Sequence, residues 1–224
     1  MNLSDWRGVQ RPERVTLQGR YARLEPLSLA RHGEQLFVSA VEPGADDRFR
    51  YLPERTPADN SGFRAWMEKS EASADQMFSA VIDMRTGRAE GRQALMRIDA
   101  GNGVIEIGNI LWGPAIARSP VTTEALFLAA QYVFDELGYR RFEWKCNALN
   151  EPSRRAAARF GFAFEGVFRQ HMVVKGLNRD TAWFAMTDAD WRAVKPSYLA
   201  WLDPANFDAN GRQRSKLASV VRTG

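Results

Sequence analysis

The segment from Phe142 to Gly166 constrains the fold more than any other part of the chain. An apolar run, Phe142 to Cys146, stops at a polar stretch holding Asn147 and Asn150. Pro152-Ser153 then opens an alanine-rich stretch that Gly161 closes, and a second apolar run begins at Phe162. Asn150 is a good helix cap and Gly161 a good helix stop, so the pattern reads strand, polar elbow, short helix over Asn150 to Phe160, strand. Such a unit needs a sheet to join. It gathers amide and hydroxyl side chains at the end of that sheet, where α/β proteins bind ligands.

The preceding chain supplies the sheet. Val15 to Leu27 alternates apolar and polar residues, and Met77–Asp83, Gly91–Asp99 and Val104–Trp112 are strand-like runs. Arg85-Thr86-Gly87-Arg88 and Gly101-Asn102-Gly103 separate them with turn chemistry, which makes an antiparallel meander. Leu29 to Val41 reads as a short amphipathic helix. Glu42 to Asn60 reads as a long surface loop, and Phe63, Trp66 and Met67 mark a helix capped by Asp59 or Asn60. Ser119-Pro120 opens a helix that Gly138 closes and that shows one apolar face. Phe162–Val174 and Thr181–Thr187 form a last hairpin through Lys175 to Asn178. A meander followed by a strand-helix-strand unit predicts an α+β (mixed α/β) domain: a mixed, mostly antiparallel sheet flanked by helices.

With 224 residues and 45% apolar content, the chain is expected to form one domain over 15–190. Residues 1–14 and 191–224 are expected to be terminal extensions, the second ending in a flexible tail. No run approaches the roughly 18 apolar residues of a membrane span, and the single cysteine, Cys146, fits a reducing cytoplasm and offers no metal cluster. Lysine and arginine exceed aspartate and glutamate by 31 to 27. Arg212, Arg214, Lys216 and Arg222 lie close together, but no recognition helix or aromatic-plus-basic stripe accompanies them, which argues against nucleic acid. An anionic small ligand explains the mild basic bias equally well.

Glu106 lies between Ile105 and Ile107, so if those face the core the carboxylate faces the other side of the sheet. Covered, it would suit a general base; solvated or paired with an arginine, it would be structural. Gly108 suits a bulge or a close backbone approach. Arg118-Ser119-Pro120-Val121-Thr122-Thr123 offers backbone N–H groups, hydroxyls and a cation at a helix start, the makeup of a phosphate site and equally of an ordinary cap. Asn150 and Ser153 are ambiguous in the same way. Cys146 reads as a buried structural thiol, since His32 and His171 are distant in sequence. Trp112, Trp144 and Trp183 read as core, with Trp112, next to Gly113-Pro114, alternatively at a pocket mouth.

Together, the Glu106-Ile107-Gly108 strand, Asn147 to Ser153 and Gly161-Phe162-Ala163-Phe164-Glu165-Gly166 resemble the GNAT superfamily of acyl-CoA N-acyltransferases, within it the RimJ/RimL-like group. The resemblance covers about residues 15 to 188. It implies that the strands at Val104–Trp112 and Phe142–Cys146 splay apart to admit acetyl-CoA, without a metal. The contacts it implies are Ile110, Leu111, Trp112, Arg118, Ser119, Val121, Thr122, Thr123, Asn147, Asn150 and Ser153. It further implies a primary-amine acceptor, a protein N-terminus or a small molecule, with Glu106 as base and Ser153 as proton donor to the departing thiolate. The family's Gln/Arg-x-x-Gly-x-Gly/Ala loop is present only as Arg118 to Thr123, without either glycine. A non-catalytic acyl-CoA-binding protein is the alternative. Glu42, Asp46, Asp47 and Glu54 would attract a cationic amine or simply be solvated. Tyr198, Leu199 and Trp201 would cover an apolar face in a homodimer or in the chain's own body.

Overall fold

The computed structural model describes residues 2–217. In chain order these form β1 (Leu17–Gln18), β2 (Ala22–Pro26), α1 (Leu29–Val41), α2 (Ala45–Phe49), α3 (Asn60–Glu71), β3 (Gln76–Asp83), β4 (Arg88–Asp99) and β5 (Val104–Trp112). There follow α4 (Pro120–Gln131), β6 (Arg141–Asn147), α5 (Glu151–Arg159), β7 (Ala163–Val174), β8 (Leu177–Thr187) and α6 (Asp188–Leu202). The strands make one sheet in the order β1-β2-β3-β4-β5-β6-β8-β7. Every pairing is antiparallel except β5 with β6. This is the mixed sheet flanked by helices that the sequence pattern implies.

Strand alternation divides the side chains between two layers. Ile105 and Ile107 of β5 with Phe142, Trp144 and Cys146 of β6 join α4 and α6 in one buried cluster. Phe78, Ala80 and Ile82 of β3 join α1 and α3 in a second cluster. The last hairpin turns through Lys175 and Gly176, both at positive φ (54° and 80°), so β8 starts four residues earlier than the sequence reading placed it. That pair of angles is what a two-residue hairpin turn requires.

Other parts also differ from the sequence reading. The loop expected over Glu42 to Asn60 contains α2. The boundary expected at residue 190 falls inside α6, which Thr187 and Asp190 cap reciprocally. Trp191, Val194, Tyr198 and Trp201 of that helix are buried. Trp191 Nε1 donates to Asp135 Oδ1 at 2.8 Å, and the Tyr198 hydroxyl donates to the Phe160 carbonyl at 3.0 Å. With α6 outside it, α4 is buried from Val121 to Ala130 rather than along one face.

The expected flexible tail also folds back as far as residue 217. Phe207 packs edge-on to Tyr21 and Trp201 and pairs with Gln213. Asn206 accepts backbone N–H groups from Arg214 and Ser215, and Leu217 is buried. Arg222 lies outside the described residues. Tyr198 and Trp201 therefore cover the chain's own body, leaving only Leu199 of that trio exposed.

Candidate active site

The parallel pairing of β5 and β6 is short. It runs from Val104 opposite Arg141 to Ile107 opposite Trp144. Beyond that point β5 pairs only with β4 and β6 only with β8. A bulge bends β5 away: Gly108 pairs with Ala94 and Leu111 with Arg92, so Asn109 and Ile110 together face Gln93 alone. Asn109 takes a positive φ of 50°. Its side chain donates to Gln76 Oε1 at 2.6 Å, and its carbonyl accepts from Arg92 Nη1 at 3.0 Å, which pins the bend. The bulge is one residue past Gly108, whose own role is steric: a Cβ there would lie 2.7 Å from Met96 Sδ. The parted strands open a cleft of about 1360 Å³.

One flank of the cleft is the start of α4. Ser119 Oγ accepts from the Val121 N–H at 3.2 Å and donates to the Ile116 carbonyl at 2.6 Å. Thr122 Oγ1 donates to the Ser119 carbonyl at 3.1 Å, and Thr123 Oγ1 accepts from Arg159 Nη1 and Nη2, each at 3.2 Å. Both threonine hydroxyls are thus engaged within the protein, and both residues are buried. The sequence reading missed Arg159. Its guanidinium lies 5.1 Å from the ring centres of both Phe160 and Trp201. Among the described residues no carboxylate pairs with it, and desolvation pushes its pKa down. Glu151 pairs with Arg154 and Arg155 on the same helix; that a third basic residue, Arg159, has no acid one turn back was the available signal. Arg118, at a positive φ of 57°, also lines the cleft.

The elbow forms the neighbouring wall. Asn150 Oδ1 caps α5 by accepting from the Ser153 N–H at 3.2 Å, and Asn147 Oδ1 accepts from the Leu149 N–H at 2.9 Å. Trp144 Nε1 donates to Ser153 Oγ at 3.0 Å. Cys146 lies beside them, and burial pushes its thiol up, away from the thiolate a nucleophile needs. Ile110, Leu111 and Trp112 line the opposite side, with Trp112 Nε1 buried and, among the described residues, without a hydrogen-bond partner.

Glu106 stands at the fork, buried, on the sheet face opposite Ile105 and Ile107. Arg97 Nη1 lies 2.7 Å from its Oε1, and Lys145 Nζ lies 2.9 Å from its Oε2. Lys145 also reaches Glu143 Oε2 at 2.6 Å and sits 3.8 Å over the Trp183 ring. Arg141 joins Glu143 to Glu165 in turn. The result is a row of alternating charges across β5, β6 and β7. His171 Nδ1 meets Thr181 Oγ1 at 3.0 Å and His32 pairs with Glu25. Neither histidine contacts Cys146.

The α2 loop closes the far side. Tyr51 donates to the Leu149 carbonyl at 3.2 Å, and Lys175 Nζ donates to the Phe49 carbonyl at 2.8 Å. Three of the four loop acids have partners: Glu54 pairs with the buried Arg92, Asp46 accepts from Thr56, and Asp47 makes an exposed pair with Arg50.

A family model for the acetyltransferase (GNAT) domain matches residues 23–163. The chain belongs to the GNAT acetyltransferase family. Among solved structures, a GCN5-related N-acetyltransferase from Brucella melitensis is 56% identical, with 96% of this chain and 97% of that chain covered and a TM-score of 0.95. A probable GNAT-family acetyltransferase from Chromobacterium violaceum is 38% identical over 86% and 96% of the two chains, TM-score 0.79. The microcin C7 self-immunity acetyltransferase MccE, in complex with acetyl-CoA and AMP, shares the fold at 20% identity over 75% and 93%, TM-score 0.65. No curated protein matches. GNAT acetyltransferases take their acetyl group from acetyl-CoA, so this GNAT chain is an acyltransferase of that donor class. Among the described residues no helix is long and apolar enough to cross a membrane.

Proposed function

We propose that this GNAT protein transfers the acetyl group of acetyl-CoA to a primary amine in one direct step within the cleft between β5 and β6. The observation that carries the proposal is the parting of these strands beyond Ile107, with Glu106 at the fork and Ser153 on the facing helix. The residues fit the donor. Unpaired backbone edges of Gly108–Trp112 and Lys145–Asn147 suit an amide-bearing arm, and Arg159, positioned by Thr123 and two rings, supplies a phosphate-binding cation where the loop lacks its glycines. Arg118 and the remaining N–H groups of α4 add to that end.

In the transfer, the acceptor nitrogen forms a bond to the thioester carbon as the carbon–sulfur bond breaks. The amine's proton passes to Glu106, directly or through water, and the departing thiolate takes a proton from Ser153, which water reprotonates as Glu106 returns its proton to solvent. Backbone N–H near Leu111 polarises the carbonyl. The elbow sequence Asn147 to Ser153 and the Gly161-Phe162 segment support a RimJ/RimL-like assignment, and a cytoplasmic location goes with it. A homodimer would use the outer strand β7, which exposes Phe164, Val167 and Phe168.

Calorimetric titration with acetyl-CoA and CoA, followed by thiol release with an amine panel, tests this reading. Micromolar binding plus turnover lost in Glu106→Gln is the expected result. Because both oxygens of Glu106 already face cations, a second reading, a non-catalytic acyl-CoA-binding protein of the same fold, gains weight if binding occurs without turnover.

A further inference from the structure

Beyond the donor, the cleft holds cations that no carboxylate among the described residues pairs with directly. On strand alternation, Arg179 shares the face of β8 that carries Thr181 and Trp183, the face toward Lys145 and Glu106. It lines the cleft, half-buried. Its Nε donates to Thr181 Oγ1 at 3.2 Å, an anchor that leaves both Nη groups of the fork free to point elsewhere. Among the described residues no carboxylate pairs with it, while Arg97 and Glu106 are near enough to act on its charge. Lys175, on the adjoining turn, is held by the Phe49 and Arg50 carbonyls, and among the described residues no acid makes an ion pair with it, though Glu54 is near enough to act on its charge.

The acids that line the cleft are Asp47 and Glu106, and both are paired. An acceptor bearing only positive charge therefore enters a wall of like sign. One that also carries a carboxylate meets a planar two-donor fork of matching geometry. The same cations favour the neutral form of an incoming amine, the form that attacks.

We propose that Arg179 binds a carboxylate of the acceptor, so that the acceptor class is a small molecule carrying an amine and a carboxylate together, as a free amino acid does. The inference rests on the acetyl-transfer reading and narrows it.

The test is a thiol-release assay with acetyl-CoA and two matched panels, amino acids and the corresponding amino-acid amides, on the wild type, Arg179→Gln and Arg179→Lys. The expected result is a kcat/KM for the best acid at least tenfold above its amide. Arg179→Gln then raises KM for the acid at least tenfold and leaves that of the amide unchanged, and Arg179→Lys falls between. Calorimetry shows acetyl-CoA bound by Arg179→Gln as by the wild type, which also reports that the variant folds. Amides accepted as well as acids, equal losses on both panels, or no acid accepted by a protein that binds acetyl-CoA each overturn the proposal. Failure of the wild type to bind acetyl-CoA overturns the transfer reading itself, and is read in a separate experiment.

Discussion

Trp144 and Ser153 meet across the elbow, the indole N–H of the strand residue donating to the hydroxyl oxygen of the helix residue at 3.0 Å. With its oxygen accepting from Trp144, the Ser153 hydroxyl turns its proton toward a sulfur, that of the neighbouring Cys146, the orientation that a donor to a leaving thiolate requires. Ser153→Ala is expected to lower kcat about a hundredfold, within the usual range for loss of a positioned proton donor, with acetyl-CoA affinity retained. Trp144→Phe removes only the orienting bond and should lower kcat less. Steady-state kinetics beside calorimetry on both variants checks the order.

Arg159 is held before any ligand arrives. Losing one charge-assisted contact to a phosphate costs about 1.5–3 kcal/mol, so Arg159→Gln should weaken acetyl-CoA binding about tenfold or more. Binding of S-acetylpantetheine, which lacks the nucleotide phosphates, should not change. Equal losses for the two donors would show that Arg159 acts only through packing on Trp201.

Lys145 separates two buried carboxylates, Glu106 and Glu143, that stand opposite each other in the β5-β6 register. Lys145→Met leaves those like charges facing each other with only Arg97 and Arg141 as partners, and the expected destabilisation is below the roughly 3–5 kcal/mol of a buried charge left wholly unpaired. A thermal melt checks it. The double variant with Glu143→Gln should recover part of the loss, since it removes one of the two facing charges.

His32 gives stability a pH dependence. Its Nδ1 accepts from the Ser28 N–H at 3.2 Å and its Nε2 lies 3.2 Å from Glu25 Oε2, so the neutral ring is satisfied on both sides. Burial, outweighing the Glu25 contact, lowers its pKa from the ordinary 6.5. The folded state then binds the proton less readily than the unfolded chain, and stability falls as pH drops below about 6.5. Glu25, whose pKa is lowered by His32 and Arg23 against the effect of its own burial, adds a further loss in the acid range below 4.5. Melting temperatures between pH 5 and 8 should fall on the acid side, and His32→Gln should flatten that part of the curve.

Most of the sheet was readable from alternation and turn chemistry, because those signals are local. Gly101-Asn102-Gly103 marks the β4-β5 turn, and the placing of Glu106 on the face opposite its isoleucines follows from a period of two. The partners of Glu106 were not readable, since Arg97 and Lys145 arrive from neighbouring strands whose register no local pattern reveals. Arg159 was hidden for the same reason: Thr123 is 36 residues away. Helix α6 was different. Trp191, Val194, Tyr198 and Trp201 are spaced three and four apart, a helical stripe, and Thr187 and Asp190 form a capping box before it. Pro196 is a helix breaker by type, yet α6 continues through it.

The stretch that folds back past α6 places Phe207, Gly211, Arg212 and Gln213 along the cleft, with Gln213 Oε1 accepting from Trp201 Nε1 at 2.8 Å. Translation delivers that wall after everything else in the site. Among the described residues no strand of the sheet lies beyond Thr187, so completing the sheet and completing the cleft are separate events.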